Sequence, residues 1–381
     1  EGPFIGLLSL ALLCGQYLDR VLREDSESGG LVAGVIALLC AVFVGRDLLL
    51  APEQMVSGHL GETLRWPAPL VPIGQVILGF GTCFGIVLAF ALGARSHGFR
   101  ARLLTLSLAL GVVGSLALIH GLVPELSRHV SYRGLYTKYR KLGGGPLGLF
   151  SVPQTSSKAY GQNSVQLNNM NDLMEFLKPG KPEGRSFAIV GAGELAAIDL
   201  TTRQRSLQYY VVDDSNVQFL LLTSELKPGE TDLNPLRRLV TTTPPTPQTP
   251  LQITFEDKVE LIGADLPTEV SRGQDFQIRL YFKVKAPLGG QYKIFMHFDG
   301  MGQRFNGDHM PLDGKFQTSY WAPGTYVIDE HKVATSRMNQ AAGYYQVFMG
   351  FWPGGDGPRL RVTAGPHEAD QRVRIGVIRV K

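Results

Sequence analysis

Four runs of apolar residues dominate the first third of the chain, at 3–18, 31–45, 70–94 and 103–123. A bilayer core of about 30 Å is crossed by roughly 20 apolar residues in a helix. The third and fourth runs reach that length outright, and the second reaches it if Leu48–Leu50 continue the helix past Arg46 and Asp47. The pattern predicts spanning helices at about 3–22, 31–50, 70–94 and 103–123. The first run has neither a basic segment before it nor a small-residue cleavage site after it, which argues against a signal peptide. Gly74, Gly79, Gly81 and Gly85 in the third run would permit close helix packing.

Past residue 123 the periodicity changes twice. Residues 124–160 form a basic, tyrosine-bearing connector ending in the breaker Gly143-Gly144-Gly145-Pro146. Residues 161–240 read as a small α/β domain: Met170, Leu173, Met174 and Leu177 have helical spacing, and short strands and a second helix follow. Gly191-Ala192-Gly193-Glu194-Leu195-Ala196 matches G-x-G-x-x-A between a strand and a helix, with Asp213 about 20 residues on. The pattern could cradle a pyrophosphate. A glycine-rich turn opening a helix is the better reading, because the unit is too small to supply a second nucleotide half. A Pro/Thr linker at 241–250 (TTTPPTPQTP) marks a boundary. From 251 to 381 about seven period-two stretches separated by Gly, Pro and Asp turns predict a β-sandwich. The expected class is a multi-domain membrane protein: an α-helical bundle of about four transmembrane helices, a small α/β domain and a C-terminal all-β sandwich.

Charge divides the chain the same way. Residues 1–123 carry seven Arg, no Lys and eight acidic residues, so 55 of the 70 charges lie in the remaining 258 residues. This excludes a disordered chain and a disulfide-stapled secreted domain. Cys14, Cys40 and Cys83 all fall in the apolar part, which removes a thiolate metal site and a catalytic thiol from everything after it. Five arginines in the first and third loops (Arg20, Arg23, Arg95, Arg100, Arg102) against two in the second (Arg46, Arg65) place the C-terminal region outside the cytoplasm.

Candidate chemistry is sparse. Arg133, Lys138 and Arg140 in the connector suit contact with anionic headgroups or with the phosphates of a lipid-linked substrate. Trp321 and Trp352 offer aromatic platforms for sugar rings. His297, Asp299, Asp308, His309, Asp313, Asp329, Glu330 and His331 gather around two loops and could assemble a cation site. No spacing among them matches a metal loop, so no metal is expected, nor a cofactor. His120 lies near the end of the fourth apolar run, where an interfacial position explains it as well as a functional one.

The order of parts resembles the C-terminal portion of bacterial family 39-like membrane glycosyltransferases of the GT-C fold, related to protein mannosyltransferases and aminoarabinose transferases. FAIVGAGELAAID, YYVVDDSNVQFLLLTSEL and the sandwich sequence carry the resemblance, most specifically at 313–333. It implies sugar transfer from a polyprenyl-phosphate donor to a glycan or protein acceptor, at the outer face of a bacterial inner membrane, with the C-terminal domains in the periplasm. The resemblance also implies catalytic acidic residues in an early extracytoplasmic loop. Glu53 and Glu62 sit too late in the bundle for that role, and the catalytic residues are unassigned. With no Met at position 1, a C-terminal fragment or a split protein is expected. The alternative is a non-catalytic, membrane-anchored envelope protein whose sandwich binds glycan or protein partners. Neither reading involves nucleic acid.

Overall fold

The computed structural model describes residues 96–122, 124, 127 and 131–381 apart from 183, 336–339 and 356, and part of 79–91. The chain divides into two compact units, residues 1–138 with 215–218, and residues 139–214 with 219–381.

In the first unit, α1 (His97–Ala117) runs on into a π-helical turn, Leu118–Leu122. Its Leu106, Leu108, Val112, Val113, Leu116 and Ile119 are exposed on one side, whereas Leu103, Leu104, Ser107, Leu110 and Gly111 on the other are partly or fully covered, so apolar residues occupy both faces of the helix. The hydroxyls of Thr105 and Ser107 donate back to the carbonyls of Ala101 and Leu103, both at 2.9 Å, which leaves no hydroxyl of this pair unsatisfied in an apolar surrounding. α2 (Arg133–Lys141), which continues into the second unit from Tyr139, is amphipathic: Leu135, Tyr136 and Tyr139 are buried, whereas Arg133, Lys138, Arg140 and Lys141 are exposed.

The four-helix transmembrane bundle expected from the sequence is corrected here. The described residues are dominated by three β-sheets, and one helix among them, Gly98–Gly121, is long and apolar enough to cross a membrane. The runs at 3–22 and 31–50 lie outside the described residues, and that at 70–94 is described only in part, as helical residues between 79 and 91. Counting apolar residues measures the length available for a span, but not whether one continuous helix uses it.

In the second unit, β1 (Leu147–Phe150), β2 (Val165–Leu167), β3 (Phe187–Gly191), β4 (Tyr210–Asp213) and β5 (Phe219–Thr223) form a sheet of order β2-β1-β3-β5-β4. β1 pairs in parallel with β2 and β3, and β5 runs antiparallel between β3 and β4. Their near-continuous apolar sequences follow from burial on both faces, supplied in part by α3 (Thr155–Ala159), α4 (Met170–Phe176) and α5 (Leu195–Gln204). α4 begins at a reciprocal cap. Asn169 Oδ1 accepts the Asp172 N–H, and Asp172 Oδ2 accepts the Asn168 N–H, each at 3.0 Å.

A short helix, α6 (Leu236–Leu239), leads straight into β6 (Val240–Thr241), which pairs with the sandwich. Eleven strands of this unit build the sandwich. Its first sheet has order β15-β7-β8-β10-β13-β6, with β7 Thr249–Phe255, β8 Val259–Asp265, β10 Phe276–Val284, β13 Tyr326–Val333 and β15 Val362–Ala364. The second has order β12-β11-β14-β16-β9, with β9 Glu269–Val270, β11 Lys293–Gly300, β12 Gln303–Asn306, β14 Gly343–Trp352 and β16 Val373–Val380. The Pro/Thr stretch thus joins two strands of one sheet that lie four strand spacings apart, about 19 Å. An extended, proline-rich connection from 241 to 249 reaches about 25 Å, so the composition matches the span it must cover.

Between the sheets lies an aromatic core. Phe282 meets Trp321 at 5.1 Å and Phe351 at 5.4 Å between ring centroids, and Phe255 meets Phe351 edge-on at 5.1 Å. The Trp321 Nε1–H donates to the Phe316 carbonyl at 3.2 Å, which satisfies the one polar atom of the ring. Replacing Trp321 by Ala removes a ring at this junction, with an expected loss of about 3–5 kcal/mol. A urea titration followed by circular dichroism measures it; an unchanged midpoint would contradict the packing.

Candidate functional site

The densest polar constellation lies where the segment 307–314 crosses the sandwich. Residue 309 bridges β11 through two backbone bonds with Ile294, both 2.9 Å, and the Asp308 carboxylate accepts the Met296 N–H at 2.9 Å. This lays the His309 ring against β13. The register of β13 on β10 (Leu280 opposite Asp329, Ile278 opposite His331) puts Asp329 and His331 on one face, two residues apart.

His309 Nε2 is 2.7 Å from Asp329 Oδ2 and Nδ1 is 2.8 Å from the Gly307 carbonyl. Both partners are acceptors, so the geometry is satisfied when both ring nitrogens carry protons. His309 is then an imidazolium, paired with a carboxylate that is wholly buried. The other oxygen of Asp329 accepts the Leu312 N–H at 2.6 Å. Leu312 and Asp313 both sit in the left-handed region (φ 52° and 53°), a strained conformation costing about 1–2 kcal/mol per residue. Asp313 in turn accepts from His331 Nδ1 at 2.8 Å, and the two imidazoles stack at 3.7 Å with an interplanar angle of 3°. Burial alone would lower the His309 pKa, but the Asp329 hydrogen bond and charge, the Gly307 carbonyl and the Asp313 charge together raise it.

A second constellation covers the outer face of the other sheet. Phe295, His297 and Asp299 alternate along β11, opposite Gly350, Phe348 and Gln346 of β14. The guanidinium of Arg359 lies 4.2 Å over the Phe295 ring and that of Arg372 lies 4.2 Å over Phe348. Asp299 accepts from Arg304 at 2.5 Å and from Arg372 at 2.7 Å. Those two guanidinium bonds outweigh its partial burial and hold its carboxyl below the usual range. His297 is lowered by burial and by Arg304, and its Nδ1 is buried without a partner.

The eight acidic and histidine residues singled out in the sequence therefore do not converge. His309, Asp313, Asp329 and His331 form two stacked pairs, His297 and Asp299 face the outer side of β11, and Asp308 holds a backbone N–H. Glu330 points away and accepts from Arg238 at 2.5 Å and Arg279 at 2.8 Å. Among the described residues no group of three or more His, Cys, Asp or Glu is placed to hold a metal ion.

Of the residues expected to bind substrate, Trp321 is 2% exposed, with its ring inside the sandwich. Trp352 is half-buried at the end of β14, opposite Lys293. Arg133, Lys138 and Arg140 are exposed on α2. The G-x-G-x-x-A turn forms a 3-10 turn, Ala192–Glu194, ahead of α5. There the Ser151 hydroxyl donates to Glu194 Oε1 at 3.0 Å, which puts a carboxylate where a pyrophosphate would need positive charge. Asp213 is on β4, separated from β3 by β5. His120 is exposed in the π-helical turn, and Cys83 is an exposed free thiol. Glu53, Glu62, Cys14 and Cys40 lie outside the described residues.

Sequence reasoning passed over a buried centre in the α/β domain. Asp199, wholly buried on α5, accepts from Arg203 at 2.6 Å and from the Tyr209 hydroxyl at 3.3 Å. Burial, and then the Asp199 charge, push the Tyr209 hydroxyl far above its ordinary pKa. The i, i+4 spacing of Asp199 and Arg203 is the one signal that could have revealed it.

No family model and no curated protein matches the chain. Among solved structures, it is similar to a β-glucosidase from Listeria innocua in complex with glucose, at 11% identity and a TM-score of 0.18. The match covers 34% of this chain and 16% of that one, and at that level it carries no inference about fold or ligand.

The His309–Asp329 pair sets a pH dependence. A histidine with a raised folded pKa contributes stability that is complete below its unfolded value of about 6.5 and is lost as pH rises through the folded value. The urea midpoint of the wild type is expected to fall across that window. Asp329→Asn keeps the Leu312 bond but offers His309 a donor, so its midpoint should be lower near pH 6 and should not respond across the same window. Asp329→Ala strands the imidazolium and should cost about 3–5 kcal/mol. A wild-type midpoint that is flat through this range would refute the charged assignment.

Proposed function

We propose that the chain is a membrane-attached envelope component whose α/β–sandwich body recognises a glycan or protein partner and does not itself perform catalysis. The observation that carries the reading is the helix Gly98–Gly121. Its 24 residues rise about 36 Å, more than a hydrocarbon core of about 30 Å, and its large apolar side chains remain exposed. In water such a surface is unfavourable, whereas in a bilayer it is matched. The body is built for rigidity: Asp199, His309 and Asp329 are buried and engaged with side-chain or backbone partners, an arrangement suited to holding loops still for a partner.

The second reading, the C-terminal part of a glycosyltransferase using a polyprenyl-phosphate-linked sugar, is supported by the resemblance at 313–333. That segment holds Asp313, Trp321, Asp329 and His331, the residues that lock the turn and fill the core. The likeness is therefore to a fold-determining element, and the resemblance assigns the transfer chemistry to an acidic residue of an early extracytoplasmic loop. Both readings place the body on the periplasmic side of a bacterial inner membrane.

Full-length chain expressed in bacteria should sediment with the membranes and resist a sodium carbonate wash. Val112→Asp combined with Val113→Asp should release it. Protein that washes off as wild type would overturn the membrane attachment. Solubilised full-length chain should bind components of a glycan panel or of envelope extract, and Trp352→Ala should weaken that binding severalfold. Sugar transfer from a polyprenyl-phosphate donor by the chain alone would refute the non-catalytic assignment.

A further inference from the structure

Residues 126–171 contain no Asp or Glu, yet they include Arg128, Arg133, Lys138, Arg140, Lys141 and Lys158. Nine arginines of the second unit, Arg185, Arg203, Arg237, Arg238, Arg279, Arg304, Arg359, Arg372 and Arg379, each hold a carboxylate. The four basic side chains of α2 have no such partner among the described residues.

The helix is also fixed in rotation. The Tyr139 hydroxyl donates to the Gly145 carbonyl at 2.5 Å and accepts the Gly145 N–H at 3.2 Å, and its ring meets Phe187 edge-on at 5.3 Å. With 100° per residue, burial of Leu135, Tyr136 and Tyr139 turns Arg133, Lys138, Arg140 and Lys141 onto the opposite side. Unpaired like charges held on one face repel one another, a cost that an anionic surface would relieve.

From these observations we infer that the exposed face of α2 docks on anionic lipid headgroups. This rests on the membrane attachment proposed above. Leu122 ends the π-helical turn and Arg133 begins α2, and the ten residues between them reach at most about 36 Å. The helix is thus tethered close to any bilayer that α1 crosses. Each basic side chain at an anionic leaflet is attracted over about one Debye length, so the contact is strong at low ionic strength and screened at high. Phosphatidylglycerol-type headgroups supply the charge, and no shape-specific pocket is required.

The test uses full-length chain in nanodiscs, which leave both faces of the bilayer open, and measures how fast a water-soluble amine-acylating reagent modifies each lysine. Lys283, exposed on β10, serves as the reference. In nanodiscs with about 30% phosphatidylglycerol, Lys138 and Lys141 should react at least about threefold more slowly, relative to Lys283, than in pure phosphatidylcholine. About 0.5 M salt should abolish the difference. Arg133→Gln combined with Arg140→Gln should reduce the protection of both lysines. Equal rates in the two lipids, with the chain still retained in the discs, would overturn this inference and leave the membrane attachment standing. A chain that does not stay with the discs at all would overturn the attachment itself, and the lipid contact with it.

Discussion

A carboxylate with no exposure to water must be paired or become neutral, and Asp199 is held by that constraint at the centre of the α/β domain. It fixes Arg203, whose remaining guanidinium arm donates to the Val240 carbonyl at 2.8 Å. Val240 is the first residue of β6 and pairs with Val327 on β13. Tyr209, on the other side of Asp199, accepts from Asn234, and Asn234 Oδ1 caps the Leu236 N–H at the start of α6. One buried charge therefore sets the orientation of α5, the entry to α6 and the edge of the sandwich sheet. Glu330, joined to Arg238 of α6 and to Arg279 of β10, repeats the link on the surface. Exposed ion pairs of that kind contribute little individually, so the buried set decides the geometry and the surface set follows it.

The sandwich uses the same device in a different place. Two strained left-handed residues at 312 and 313 would straighten without external bonds, and Asp329 and His331 on β13 supply them. The turn then carries Phe316 and Trp321 into the core. A polar pair thus specifies where an aromatic ring goes, and the ring supplies most of the stabilisation through burial. This ordering gives the Asp, the Trp, the Asp and the His of 313–333 a structural task in placing the turn and its ring.

Some of this was legible in the chain. The alternation in FQIRLYFKV coincides with β10 at both ends, because one face of that strand is core and a slip of one residue would invert every side chain. The tandem Phe187–Val190 was legible as a short buried strand for the complementary reason, burial on both faces. Less legible was anything that depends on contacts remote in sequence. β5 inserts between β3 and β4 after a hairpin reversal, and no local pattern distinguishes that order from adjacent parallel strands. The Pro/Thr stretch read as a domain boundary, yet it crosses a sheet whose edge strand, β6, precedes it. Apolar runs misled in the other direction. They state how much surface prefers to leave water, while the partner for that surface, whether lipid or protein, is not written in the run itself. At the candidate site, His309 and Asp329 stood out as chemistry-bearing residues, but whether a His and an Asp 20 residues apart grip a metal, a substrate or each other depends on strand register.

The distinction between a site and a brace can be drawn from hydrogen-bond capacity. A group that meets a ligand directly presents at least one polar atom toward open space. Asp329 places one oxygen on the Leu312 N–H and the other on His309, and both His309 nitrogens are engaged, so this pair holds the turn against β13. His331 spends Nδ1 on Asp313 and lies face to face with the His309 ring. On the outer face of β11, His297 differs because its Nδ1 has no partner, but the guanidinium groups around it are already matched by Asp299, Glu368 and Asp370. Among the described residues the four basic side chains of α2 have no carboxylate partner, and they lie on an exposed helical face where a molecule of opposite charge can reach them. Recognition in this chain is therefore expected at surfaces that the internal pairing leaves open, and the polar interior serves to hold those surfaces in place.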